Sequence, residues 1–162
     1  MSLDPNEQVL LDLLVAQVEF IVVGGLAAVL QGAPVVTFDV DIVHRRTTEN
    51  VEKLHRYLMS RGAYHRLDLA NRRLPPQQEA LLGRGHLNLA FGQAKLDVLC
   101  EIDANAGYDE LLPDTEIIEF HRETLRILGL PRLIQAKSAA GRGKDKMVLP
   151  ILVASLEATL RK

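Results

Sequence analysis

The sequence predicts an α+β domain: a small mixed β-sheet flanked by helices, closing on C-terminal helices. Three observations predict it. A short apolar run, Phe20-Ile21-Val22-Val23, is stopped by Gly24-Gly25, as a buried strand ending in a tight turn would be. Two later pairs of segments, 86–91 with 95–100 and 115–120 with 123–127, are split by short turns and read as hairpins. Helical spacing then takes over toward the C-terminus. No repeat, low-complexity tract or long linker is visible, so the 162 residues read as one domain. Its core would run over about 18–128 and its helical part over about 130–160.

In chain order, Val9, Leu10, Leu13 and Leu14 lie at helical spacing and predict a first amphipathic helix over 7–17. The strand Phe20–Val23 follows, then a short helix over 26–30 that ends near Gly32 and Pro34. Residues 37–43 alternate in polarity and predict a second strand, with Phe38, Val40 and Ile42 turned into the core. Thr47 or Thr48 is an N-cap for a helix over 49–60, whose inner face is Val51, Leu54 and Leu58. Residues 63–67 predict an edge strand. Residues 71–85 are basic and rich in Pro and Gly, a loop with a helical turn near 79–82. After the hairpins, 131–140 and 144–160 are helical, broken at Gly141 and Gly143, with a kink or a helix start expected at Pro150.

Composition removes several function classes. Apolar residues make up 48% and charged residues 25%, so the chain folds rather than staying disordered. A formal charge of −2 argues against a general polyanion-coating role. With four Phe, three Tyr and no Trp, a base-stacking platform for single strands is hard to build. The lone Cys100 forms no internal disulfide and fits a reducing, cytoplasmic compartment. The longest apolar run, 20–30, carries two glycines and is too short to span a bilayer, so no membrane role is expected. The N-terminus is acidic before any Lys or Arg, unlike a signal peptide.

The sharpest chemical signal is Asp39 and Asp41. Two apart on a strand, both carboxylates face one side and repel unless a cation lies between them. A divalent ion with a taste for hard oxygen ligands, Mg2+ or Mn2+, is the usual remedy. Asp97, the single acid inside Leu96-Asp97-Val98-Leu99, makes a third carboxylate if its strand lies beside the first. Three such groups can hold two metals, the arrangement that clamps an in-line phosphoryl displacement. Gly24-Gly25 opens a short helix where free backbone N–H groups can meet a phosphate with no Cβ in the way. Lys137 sits mid-helix among Leu133, Ile134, Ala136 and Ala140, an apolar setting from which an ammonium can reach an acid or a phosphate. The five histidines show no zinc spacing, and neither the dinucleotide-binding nor the Walker A glycine pattern is met.

Taken in order, Val23-Gly24-Gly25-Leu26-Ala27, Gly32, Thr37-Phe38-Asp39-Val40-Asp41 and Leu96-Asp97-Val98-Leu99 resemble the nucleotidyltransferase-fold superfamily, which includes DNA polymerase beta and many small stand-alone bacterial proteins. The segment 133–145 is similar to the closing helices of those small proteins, some of which are partners in toxin–antitoxin pairs. The resemblance covers roughly residues 18–158. It implies that Asp39, Asp41 and Asp97 are catalytic and bind two magnesium or manganese ions. Asp97 would lie nearer the attacking hydroxyl and help remove its proton. It also implies that Gly24 and Gly25, with Thr37 and Lys137, bind the nucleoside triphosphate.

Two positions depart from the pattern. Active members commonly have Ser where Gly25 stands, and related sequences often carry Arg where Val35 stands. The site thereby loses a hydroxyl and a cation. Arg72, Arg73 and Arg84, in the loop before the Asp97 hairpin, are candidates to supply the missing charge. The expected reaction is metal-dependent transfer of a nucleoside monophosphate from an NTP to a hydroxyl on a protein, an RNA end or a small molecule. A partner protein or a homodimer would complete so small a site. The alternative is a degenerate fold that binds a nucleotide or a partner without transfer.

Overall fold

The computed structural model describes residues 3–161. Its centre is a seven-stranded mixed sheet, and what matters for function is how that sheet orders the acid-bearing strands. The strands are β1 (Phe20–Val23), β2 (Val40–His44), β3 (Tyr64–His65), β4 (Leu87–Phe91), β5 (Ala94–Leu99), β6 (Thr115–Phe120) and β7 (Glu123–Leu128). Their order across the sheet is β3-β4-β5-β2-β1-β7-β6. Both predicted hairpins form, β4 with β5 and β6 with β7. The β1–β2 pair is antiparallel, whereas β2–β5 and β1–β7 are parallel.

Every residue of β1 is buried, which is why its sequence is apolar without alternation. Helix α1 (Pro5–Val15) is capped by Asp4, whose carboxylate accepts from Asn6 N–H, and it packs on β5 and β7. Helix α2 (Gly24–Leu30) follows β1 without a spacer, and α3 (Thr48–Ser60) starts at its Thr47 cap. Two short helices lie in connections, α4 (Gln78–Leu82) and α5 (Tyr108–Leu111). The chain closes on α6 (Leu130–Ala140) and α7 (Gly143–Leu160), joined at Gly141 with φ +61°. Helix α7 runs through Pro150. Among the described residues no helix is long and apolar enough to cross a membrane.

Three expectations need correction. Strand β2 begins at Val40, so Asp39 precedes it. The partner strand explains why: β1 ends at Val23 opposite Asp41, where Gly24 turns away, and nothing remains on that side to pair with residues 37–39. Instead the Thr37 hydroxyl donates to the Asp39 carbonyl and bends the segment. As a result Phe38 is not a core residue but is 78% exposed. Finally, the edge strand expected over 63–67 shrinks to Tyr64–His65.

Candidate active site

Strand register brings two of the acids together. In the parallel β2–β5 pair Asp41 stands directly opposite Asp97, so both side chains leave the sheet on one face. Asp39, from the bend just before β2, reaches the same cluster. The turn at Gly24 closes beside it. A Cβ built on Gly24 would fall on the Asp41 carboxylate, and Gly24 itself holds φ +68°. Only glycine meets both demands, a left-handed backbone and an acid packed against its Cα.

Crowding shows in the chemistry of Asp41. Burial, a hydrogen bond with the Asp97 carboxyl, and the charges of Asp97 and Asp39 push its pKa up to about 7, against the opposing pull of Lys137. The acid cluster nevertheless has one cation of its own. Arg66 Nη1 donates to Asp97 Oδ1 at 2.6 Å, and its Nη2 lies 3.5 Å from Asp39 Oδ2. The guanidinium is largely enclosed, with a side-chain exposure of 16% against 15% for Asp97.

Arg66 was not among the expected cationic residues. Of those, Arg72 pairs with Asp68 at 2.9 Å, Arg73 stacks over the Tyr64 ring, and Arg84 is exposed. None of these arrangements brings them to the acids. Sequence carried little signal for Arg66, a basic residue at the end of a segment read as an edge strand. The clue lies in register alone. The Arg66 N–H donates to the Asn88 carbonyl, continuing the β3–β4 ladder, and Asn88 pairs with Asp97 in the next ladder.

Facing the acids is a second charged group, on the closing helices. Asp145, completely buried, accepts from Arg142 Nε at 2.7 Å and lies 3.2 Å from Lys137 Nζ. Burial alone would raise its pKa, but the bonds from Arg142 and Lys137 outweigh this and hold it at about 2. Lys137 is therefore a positioned ammonium. It lines both cavities that flank Asp41, one of about 460 Å³ and one of about 360 Å³. Gly24, Asp41 and Leu133 are also common to both. The smaller cavity adds Gly25, Thr37, Asp39 and Lys144, together with Val35 where the motif would place a cation. Of the residues expected to bind metal or nucleotide, all but Asp97 line this cleft, and Asp97 touches it through Asp41, whereas Arg72, Arg73 and Arg84 do not line it.

By chemistry alone the donors are the kind a hard divalent ion takes, carboxylate oxygens lining one cleft with a surplus of negative charge. The Arg66 guanidinium bridges Asp39 and Asp97 and offsets part of that charge. With the side chains in these positions, no three acid, imidazole or thiol groups among the described residues converge on one point as a ready cage. Two other groups of metal-binding type serve the core instead. Cys100 is buried, with Sγ 2.7 Å from the carbonyls of Gly83 and Gly85, and His44 is a core residue bonded to the Leu81 carbonyl.

The sequence matches no protein-family model and no curated protein. The fold does have a counterpart among solved structures. A provisionally assigned nucleotidyltransferase from Thermotoga maritima superposes with a TM-score of 0.57 at 18% identity, over 91% of either chain. The architecture is accordingly nucleotidyltransferase-like.

Proposed function

We propose that this protein is a metal-dependent nucleotidyltransferase that moves a nucleoside monophosphate from an NTP to a hydroxyl acceptor. One observation carries the proposal: Asp41 and Asp97 stand abreast at the Gly24-Gly25 turn, with Lys137 in the same cleft. The acceptor oxygen bonds to the α-phosphorus, the bond from that phosphorus to the bridging oxygen breaks, and pyrophosphate departs. The hydroxyl proton passes to a carboxylate of the cluster, a role the superfamily resemblance gives to Asp97. Magnesium or manganese, held by Asp39, Asp41 and Asp97, would neutralise charge on the transferred phosphoryl group and on pyrophosphate. Lys137, fixed by Asp145, supports the triphosphate from the helical side, beside Gly24, Gly25 and Thr37.

Incubation with labelled NTPs, manganese and cell lysate tests transfer and acceptor together. Label is expected on a protein, an RNA or a small molecule, and Asp97→Asn should cut it by about 100-fold or more, the scale for losing one transition-state stabiliser. No label above an Asp97→Asn control, with any of the four common NTPs, would reject the reading. Arg66 favours a second one. Because it already neutralises two of the acids, and Gly25 and Val35 lack the usual polar groups, the cleft would then bind a nucleotide or a partner without transfer. Metal-independent NTP binding by calorimetry, with no transfer, is the result that selects it.

A further inference from the structure

Arg66 is tied down at four points. Besides Asp97 and Asp39, its Nη1 donates to the Leu89 carbonyl at 3.1 Å and its backbone N–H to the Asn88 carbonyl at 2.9 Å. The carboxylate oxygens it occupies, Asp97 Oδ1 and Asp39 Oδ2, belong to the residues the proposed function assigns to metal. A guanidinium and a divalent ion cannot share these oxygens cheaply, since each repels the other in a partly desolvated site. The segment that carries Arg66 is mostly exposed, and its ties to the rest of the fold include the His65 N–H on the Leu74 carbonyl and His55 Nε2 on the carbonyl of buried Pro76. Strand β3 has two residues, lies at the sheet edge, and runs into residues 66–77, which contain no helix or strand. Short edge elements with few partners are where local opening is least costly.

We propose that Arg66 is a built-in counter-ion that competes with divalent metal for Asp39 and Asp97, so that loading the site requires Arg66 to withdraw with the 66–77 loop. This rests on the metal-dependent reading above. It accounts for three acids in one cleft: the guanidinium offsets two of them and leaves Asp41 to crowd against Gly24. It also makes Arg66 a brake. Metal binds only as tightly as its advantage over a resident cation allows.

Manganese alone is a sufficient probe, read by thermal unfolding and by electron paramagnetic resonance of free Mn2+. The variants are Arg66→Gln, which removes the charge, and Arg66→Lys, which keeps a charge but loses the two-pronged contact. In EDTA, Arg66→Gln should melt below the parent because it leaves carboxylates unpaired. With manganese it should half-saturate at a concentration about tenfold lower, equivalent to ~1.4 kcal/mol, and show the larger rise in Tm. Arg66→Lys should fall between the two, and it keeps the comparison open should Arg66→Gln fold poorly. Equal or weaker manganese affinity in both variants, with a parent that binds it, would overturn the competition and leave the metal-dependent reading standing. Absence of manganese binding in the parent and both variants would overturn both.

Discussion

Two charged groups face one cleft, and they are built in opposite proportions. Around Asp41 three carboxylates share one guanidinium, and the Asp41 pKa rises to about 7. Around Asp145 one carboxylate serves an ammonium and a guanidinium, and its pKa sinks to about 2. Desolvation pushes both pKa values up, so it does not by itself set their opposite directions. The ratio of acids to cations does. Each group is left with a surplus, negative on the sheet and positive on the helices, and Lys137 spans the gap. The two surpluses suit the two halves of a metal–triphosphate, which is the ligand class proposed here.

The strongest way to break the acidic half is Gly24→Ala. The new Cβ meets Asp41 and demands a left-handed backbone, so a loss of about 2–4 kcal/mol is expected, combining backbone strain with overpacking. Chemical unfolding checks it. A loss under about 1 kcal/mol would mean that Asp41 swings away freely and is not held at the turn.

Next, Asp145→Asn tests the basic half. It removes charge-assisted bonds to Arg142 and Lys137, which should cost about 1–3 kcal/mol. A depressed folded-state pKa gives stability that is present above the unfolded value near 3.9 and lost as pH falls toward 2. The deficit of the variant should be constant from pH 5 upward and fade between pH 4 and pH 2. A deficit independent of pH in that range would point to packing rather than charge.

Asp41→Asn should act in the opposite direction. In EDTA at pH 8 it is expected to stabilise the protein by about 0.5–2 kcal/mol, because the amide can donate to Asp97 with no charge to repel. A raised pKa carries a penalty that is complete above about 7 and fades as pH falls toward the unfolded value. The advantage should therefore shrink between pH 7 and pH 4. The same variant should forfeit most of the stabilisation that manganese gives the parent. Melting curves at pH 8 and pH 5, with EDTA and with manganese, read all four corners. A variant less stable than the parent in EDTA at pH 8 would favour the degenerate, binding-only reading.

The smallest effect expected is from adding the groups that this chain lacks at Gly25 and Val35. In Gly25→Ser the new side chain lies 3.1 Å from Thr37, tight enough to need a small shift, while Val35→Arg adds a cation at the smaller cavity. Together they should raise NTP affinity a few-fold, about 1 kcal/mol on the scale of one charged hydrogen bond. Unchanged calorimetric affinity in a folded double variant would show that Lys137 and Lys144 already fill the role.

Much of this was legible in residue order, for reasons that are local. The apolar run of β1, the Thr47 cap, both hairpins and the stop at Gly141 each depend on a residue and its near neighbours. The pairing of Asp41 with Asp97 followed from a conditional reading, that their strands be adjacent, and the register of β2 on β5 met the condition. What sequence alone did not decide were the features that need a partner from far along the chain. Where β2 begins depends on where β1 stops, so residues 37–39 alternate like a strand yet bend away and leave Phe38 in solvent. Helical spacing places Lys137 mid-helix, but only Asp145, on another helix, fixes where its ammonium points. Arg66 lies 31 residues from Asp97 in sequence and two strands away in the sheet. Only the ladders β3–β4 and β4–β5 carry it there, because hydrogen-bond register, unlike hydrophobic periodicity, is set between strands and not within them.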